Sequence, residues 1–437
     1  MEPKNKQTLF GNFKLNLKRY EEQSIKDLGL VYAFTHSESL QLGCSRLYGY
    51  DYIESFETNY LNTNFAYGSC WHKVLEELLL LIKEKDKMLS SDFVHKYLNN
   101  NLKRIIEEYF EEINFPDKNS VQYFDFISKV QRVSKEIFNK IKLSIDGWLQ
   151  HWEKNIHPRY KVISVEKIVF APCEFNDQIF NDEVFVVKKT INNKTFIRPS
   201  RIGESFNREP DCDFGSINMK FYKVGKIDAL VQNRENESLW IVDHKTSKYI
   251  SGYERKADFN LQLVGYCALL RDMIKRGVFG KKDMVVGGVI WDLCSSAISE
   301  LPKPLKSGKM STTKKPPSWL FIKSLKVNNI DFHEYREFIK ELKETDCKYF
   351  SFVEKMVTDS EMNRCMAENY STAKQISSLR KESAFLNLNE KGLIDVFLPR
   401  YTLCTQYNSC KFSQICLNNN NIYDIMIARS TKIFWEA

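Results

Sequence analysis

Residues 222–245 read YKVGKIDALVQNRENESLWIVDHK, and how that stretch divides decides the fold. Two β-rich runs, Tyr222 to Gln232 and Ser238 to Lys245, flank the polar segment Asn233 to Glu237, the pattern of an antiparallel hairpin. The second run is apolar on both faces, Leu239 and Ile241 on one and Trp240 and Val242 on the other, which predicts a buried central strand. It ends in charge, at Asp243, His244 and Lys245. Side chains alternate along a strand, so Asp243 and Lys245 project to one side, about 6 to 7 Å apart along the backbone, while His244 points away. The turn brings Asp228 of the partner strand beside Asp243. Two carboxylates at a hairpin end repel each other unless a cation lies between them, and hard oxygen donors suit Mg²⁺ or Mn²⁺. The acid-x-Lys spacing carries nothing by itself, since it recurs at Glu2/Lys4, Glu254/Lys256, Glu341/Lys343 and Asp346/Lys348. Position singles out Asp243/Lys245, because that pair closes an apolar strand; the plain alternative is an ordinary ion pair at a strand end.

Outward from the hairpin, Lys161 to Phe170 (KVISVEKIVF) alternates and is β-branched, which predicts the strand that opens the sheet. Ala257 to Arg276 has helical periodicity, and Met284 to Leu293 (MVVGGVIWDL) is a further apolar strand. Strand, hairpin, helix and strand in that order predict an α/β core of about 130 residues. The first 160 residues read as helices: Val74, Leu75, Leu78, Leu79, Leu81 and Ile82 recur at threes and fours, and Val121 to Trp152 repeats the stripe. The polar insertion between Pro172 and Asn218 reads as a surface excursion, and helical periodicity returns from Phe332 to Val357. The expected parts are an N-terminal helical region over 1–158, a core over 159–300, a lysine-rich loop over 301–330 and a C-terminal helical region over 331–437. The loop holds seven lysines and no acid, so Lys309, Lys314 and Lys315 are candidates to meet phosphates and Trp319 a base, against the alternative of a solvated loop.

The 437 residues are 43% hydrophobic and 27% charged, enough to bury a core and too polar for a membrane protein. A net charge of +8 biases partners toward phosphate without naming nucleic acid. Met1 to Phe10 has no apolar signal segment, and the longest apolar run, Leu78 to Ile82, is far shorter than the roughly 18 residues of a membrane span, so no membrane association is expected. Eleven cysteines, an odd number without close pairing, predict a reducing, cytoplasmic interior.

Gly225-Lys226-Ile227-Asp228, Ile241-Val242-Asp243-His244-Lys245-Thr246, and Gln262 and Tyr266 in QLVGY together resemble the PD-(D/E)XK nuclease superfamily. The nearest likeness is to its RecB-like branch, which includes nuclease domains of bacterial recombination helicase-nucleases, CRISPR adaptation nucleases and phage exonucleases. That branch carries Gly-x-x-x-His on an upstream helix, and Gly68 to His72 (GSCWH) matches it. The resemblance spans residues from about 35 to 416 in motif order. It implies a restriction-endonuclease-like α/β core, a central mixed sheet flanked by helices, with large N-terminal and C-terminal helical additions. It also implies that His72, Asp228 and Asp243 ligate metal, that Lys245 orients or deprotonates the attacking water, and that Gln262 and Tyr266, on one helix face, lie beside the nucleic acid. Glu166 resembles the acid that the family often places before the hairpin, and stands between a metal ligand and an ion-pair partner. His72 has the alternative of a helix-end histidine bonded to backbone; Tyr266 has that of a ring packed on the sheet with Gln262 at the rim. Such roles suit phosphodiester hydrolysis, in which a metal pair about 3.5 to 4 Å apart stabilises developing charge and activates water. An imidazole among oxygen ligands moves preference from Mg²⁺ toward Mn²⁺.

Cys404, Cys410 and Cys416 lie in YTLCTQYNSCKFSQIC, with five residues in each gap. In several RecB-like nucleases a 4Fe-4S cluster is held by one cysteine before the histidine motif and three near the C-terminus. Cys44, in LQLGCSRLYGY, stands where the first belongs, so the resemblance implies a cluster on Cys44, Cys404, Cys410 and Cys416. The usual C-x2-C-x5-C spacing is matched only in part, since Tyr407 occupies its first position; Zn²⁺ on the same thiolates and unligated cysteines stay open. The whole implies a Mg²⁺- or Mn²⁺-dependent deoxyribonuclease, an exonuclease on single-stranded DNA or duplex ends in replication, recombination or repair, and it admits a phage origin. Two alternatives remain: a DNA-binding or assembly module beside a helicase or recombination protein, and an RNA-trimming or CRISPR-adaptation-like nuclease. No G-x-x-x-x-G-K-[ST] motif supplies a motor in the same chain.

Overall fold

The computed structural model describes residues 9–10, 31–53, 56–58, 63–111, 121–191, 194–205, 211–248, 250, 252, 260–296, 318–327, 330–340, 342, 349–386, 410, 426–428 and 435–436. Lys309, Lys314, Lys315, Cys404 and Cys416 lie outside the described residues. From the N-terminal side, strands β1 (Leu9–Phe10) and β2 (Val31–Phe34) precede helices α1 (His36–Gln41) and α2 (Ser45–Tyr48), a π-helical turn at Gly49–Ile53 and strand β3 (Phe56–Thr58). Three long helices follow, α3 (Thr63–Lys85), α4 (Ser91–Glu111) and α5 (Val121–Asn155). Strands β4 (Tyr160–Pro172), β5 (Glu174–Phe175), β6 (Gln178–Ile179), β7 (Asn181–Ile191), β8 (Lys194–Pro199), β9 (Asp213–Asn233) and β10 (Leu239–Ser247) lead to helix α6 (Leu261–Lys275) and strand β11 (Val286–Ser295). Then come α7 (Ser318–Val327), a 3-10 turn at Phe332–Tyr335, α8 (Arg336–Lys340), β12 (Phe350–Met356), α9 (Asp359–Ser383), β13 (Met426–Ala428) and β14 (Trp435–Glu436).

The expected hairpin is β9 and β10, antiparallel with Val242 opposite Ala229. Its turn is built by side chains: Asn233 Oδ1 accepts from the backbone N–H groups of Glu235 (2.8 Å) and Asn236 (3.2 Å), and Glu237 adopts a φ of 59° before the chain returns. The main sheet has ten strands and is mostly antiparallel, running β12-β11-β10-β9-β7-β8-β14, with β2 and β4 also paired to β9. One edge of the long strand β9 meets β7 and then β4; the other meets β2 and then β10.

Helices cover both faces, the α/β arrangement that the hairpin and its neighbours implied. Trp240 and Val242 enter a core with α3, α4 and α5, while Leu239 and Ile241 enter a second core with α6, so β10 is buried on both sides. Trp71, Trp148 and Trp152 are each at most 1% exposed between the helices and the sheet. Each removes on the order of 200 Å² from water, worth about 5 kcal/mol at 25 cal/mol per Å². Asn260 caps α6 by accepting from Leu263 N at 3.1 Å, and Thr358 with Glu361 forms a reciprocal capping box on α9.

Four expectations are corrected. The loop expected over 301–330 is helical at Ser318–Val327, because Leu320, Phe321 and Leu325 are buried on one face of α7. The insertion after Pro172 is no surface excursion: β7 and β8 extend the main sheet, and Val184, Val186 and Val187 of β7 are buried. Its polar texture belongs to the solvated face of those strands. The first 160 residues are not wholly helical, because β2 joins the sheet parallel to β9. The helical reading also fails at Phe350–Met356, where β12 pairs antiparallel with β11 and sends Phe350 toward the helices and Val353 toward α6. Among the described residues, no helix is long and apolar enough to cross a membrane.

Candidate active site

β10 outlasts its pairing with β9, which stops at Val242 opposite Ala229. The backbone freed beyond that point is taken up by a side chain, because Asp228 Oδ2 accepts the His244 N–H at 2.7 Å. Asp243 is 5% exposed, and Lys245 Nζ lies 3.0 Å from its Oδ1 and 2.9 Å from its Oδ2. Alternation along the strand therefore brings together the two residues it was expected to pair. From α3, His72 Nδ1 stands 3.4 Å from Asp228 Oδ1. The helix reaches so close because residue 68 is glycine: a Cβ there would lie 3.1 Å from Thr246 Oγ1. A Cβ at Gly225 would overlap the Tyr266 ring, so that glycine admits the ring against β9. On α6, Gln262 Nε2 donates to Tyr266 Oη at 2.9 Å, joining the pair into one polar unit beside the carboxylates.

The charges in this group are set by one another. Burial, together with Asp228, pushes the Asp243 carboxyl up against the pull of Lys245. Asp228 moves the other way, since His72, His244 and Lys245 outweigh its burial and hold it well below the ordinary carboxylate range. Lys245 is buried too, yet Asp243 and Asp228 raise it above an ordinary lysine, so it stands as an ammonium. Asp228 likewise raises His72 against the effect of burial.

The other candidates stand apart from this group or beside it. Glu166 is ion-paired with Lys226 and sits in β4 level with Asp228, at a φ of 54°. A non-glycine residue holds that conformation inside a strand only when its surroundings impose it. Trp319, on α7, is half-buried against the helical core and lines a cavity of about 550 Å³ with Asp146, Gln150 and Glu153. Cys44 is buried, and Cys410 packs against a third core that contains Tyr48 and Tyr50.

Sequence reasoning missed several residues around the site. His36, at the start of α1, is held down to about 4 by burial and by Lys223 and Lys245, so it is a neutral imidazole. Asp292 lies directly across from His244 on β11 and is met by Trp148 and Trp152 of α5. A signal for Asp292 existed: it is a lone acid in the apolar run MVVGGVIWDL, the same pattern that drew attention to Asp243.

Two desolvated carboxylates and an imidazole are donors that could hold a cation, and a fixed ammonium beside them could meet an anionic reacting centre. Among the described residues, no three His, Cys, Asp or Glu side chains are grouped as a ready cage for an ion. Lys245 Nζ and His72 Nδ1 stand at the carboxylates instead. The donor set still fits a hard divalent cation, because the buried Asp243 Oδ2 already faces a positive charge, the Lys245 ammonium 2.9 Å away. A family model described as the PD-(D/E)XK nuclease superfamily matches residues 38–416. No curated protein matches the chain.

Proposed function

The chain belongs to the PD-(D/E)XK nuclease superfamily, and on that premise we propose that it is a metal-dependent deoxyribonuclease of the RecB-like branch, an exonuclease working on single-stranded DNA or duplex ends in replication, recombination or repair. The observation that carries the proposal is the meeting of Asp228, Asp243 and Lys245 where a buried strand ends, with His72 3.4 Å from Asp228. Asp228, Asp243 and His72 would hold the cation, a set that accepts Mn²⁺ as readily as Mg²⁺. When bound, it supplies Lewis-acid stabilisation of phosphoryl oxygens and acidifies water. Lys245, fixed as an ammonium, orients the attacking water by donating to it rather than by taking its proton. Gln262 and Tyr266 present N–H and O–H donors to the phosphate backbone from the neighbouring helix.

Asp243→Ala should abolish cleavage of labelled DNA while leaving DNA binding in place. Mg²⁺-dependent cleavage by a clean preparation of that variant would sink the assignment. Side-by-side digestion of single-stranded DNA, duplex DNA and RNA with Mn²⁺ separates this reading from an RNA-trimming enzyme. The complete Asp-Asp-Lys set speaks for an enzyme over a silent assembly module beside a helicase.

The same branch assigns a 4Fe-4S cluster to Cys44, Cys404, Cys410 and Cys416. Two contacts support it. β13 pairs with β3, just beyond Cys44, and Cys410 packs beside the core that holds Tyr48 and Tyr50, so the C-terminal segment returns to the region of Cys44. An anaerobic preparation should be brown; a colourless protein that carries zinc would replace the cluster with a structural Zn²⁺ site. Lys309, Lys314, Lys315 and Trp319 are the proposed contacts to DNA outside the core.

A further inference from the structure

Behind the carboxylates, on the face of β10 away from Asp243 and Lys245, lies a buried polar cluster in apolar surroundings. His244 and Asp292 face each other across the parallel strands β10 and β11, each 2% exposed, with His244 Nδ1 2.8 Å from Asp292 Oδ2. That same oxygen accepts the indole N–H of Trp148 at 2.8 Å and of Trp152 at 2.7 Å. The other oxygen, Oδ1, accepts no hydrogen bond, and His151 Nε2 is 3.8 Å from it. A carboxylate buried with one oxygen crowded and the other bare is an expensive way to fill space, since apolar groups of matching shape are often as stable or more so.

The contacts of His244 on its other side give the cluster a use. Its backbone N–H holds Asp228 Oδ2 at 2.7 Å, and its ring meets the His72 ring edge to face with centroids 6.1 Å apart. Asp243 and Lys245 are its neighbours in the chain. One residue thus adjoins all three proposed metal donors, and Asp292 is what fixes that residue.

We propose that Asp292 is a positioning residue for the cation site, anchoring His244 and through it the relative placement of Asp228, Asp243 and His72. This rests on the nuclease reading and goes beyond it, since it assigns the site's geometry to a residue on a different strand that faces away from the chemistry. A partner that bonds a metal donor directly typically changes metal affinity about 10- to 100-fold when lost; Asp292 acts one step further out, through His244, so the lower end of that range is expected.

The test is Mn²⁺ binding followed by electron paramagnetic resonance without nucleic acid, with thermal melting in parallel. Asp292→Asn should bind Mn²⁺ about 10-fold or more weakly than wild type. Trp148→Phe removes another donor to the same oxygen and lowers the melting temperature, but it should bind Mn²⁺ as wild type does. Asp292→Asn affinity within about twofold of wild type, or an equal loss in Trp148→Phe, overturns the proposal. Should Asp292→Asn fail to fold, His244→Phe decides by the same measure, because a ring that can meet His72 is kept while the bond to Asp292 is gone. Asp243→Ala separates the two levels: if it abolishes binding while Asp292→Asn leaves binding intact, only the positioning role falls. A wild-type protein that neither binds Mn²⁺ nor cleaves overturns the nuclease reading itself.

Discussion

Lys223 and Lys245 are two shielded lysines with opposite fates, and the difference is the company each keeps. Lys245 faces two carboxylates and is raised. Lys223 is 7% exposed, donates to Thr35 O at 3.0 Å and to Ser39 Oγ, and lies 4.6 Å from the centre of the Phe34 ring. These neutral partners do not offset burial, which brings its pKa down to about 8 from 10.5. Between those values the unfolded chain keeps a proton that the folded protein has released, so this group makes stability rise with pH across that window. Lys223→Met should remove a rise of about 3 kcal/mol, seen by comparing urea melts near neutral pH with melts near the ordinary lysine pKa. An unchanged slope in the variant would show that the ammonium is not desolvated.

At the scale of elements, β9 and α6 are fitted to each other through Gly225 and Tyr266. Gly225→Ala places a methyl group where the ring lies. The strain should lower stability by about 1 to 3 kcal/mol and push Tyr266 off the site, so cleavage should fall further than in Tyr266→Phe, which keeps the ring. Equal activity in Gly225→Ala and wild type would mean that the ring relocates freely. The hairpin, the two-faced burial of β10 and the pairing of Asp243 with Lys245 were legible because period-two alternation and turn chemistry are local signals. β7 and β12 were not: one displays a solvated polar face, and the other lies in a stretch, Phe332 to Val357, whose apolar spacing reads as helical. Asp292 stood out as a lone acid in an apolar run, but what it binds was illegible. Its partners Trp148 and Trp152 lie 144 and 140 residues earlier, and periodicity reports which face of an element is covered, not by what.

For the molecule as a whole, Arg380 of α9 binds the C-terminal part to the N-terminal one. Its Nε donates to Tyr32 Oη and its Nη2 to Tyr52 O at 2.9 Å. Glu38 Oε1 accepts from Tyr32 at 3.1 Å and from Tyr48 at 2.9 Å, so Arg380, Tyr32, Glu38 and Tyr48 form one buried network. Arg380→Met removes the bonds to Tyr32 and Tyr52 and the larger of two positive charges that act on Glu38, the other being Lys223, and should cost about 1 to 3 kcal/mol in chemical denaturation; a loss under about 1 kcal/mol would mean that the tyrosines alone satisfy the carboxyl. No local pattern announced this tie, whose ends are more than three hundred residues apart in the sequence. The long strand β9 has a consequence for the order of synthesis. It receives β2, β4, β7 and β10, which begin as early as Val31 and end at Ser247. None of these pairings can close until β9 itself has left the ribosome, and sheets built on such distant partners form slowly. His72 is therefore made long before Asp228, Asp243 and Lys245 exist for it to meet. A nascent chain carries parts of the proposed cutting site but no assembled site, and on that proposal a translation product that stops short of the hairpin is inert toward the nucleic acid around it.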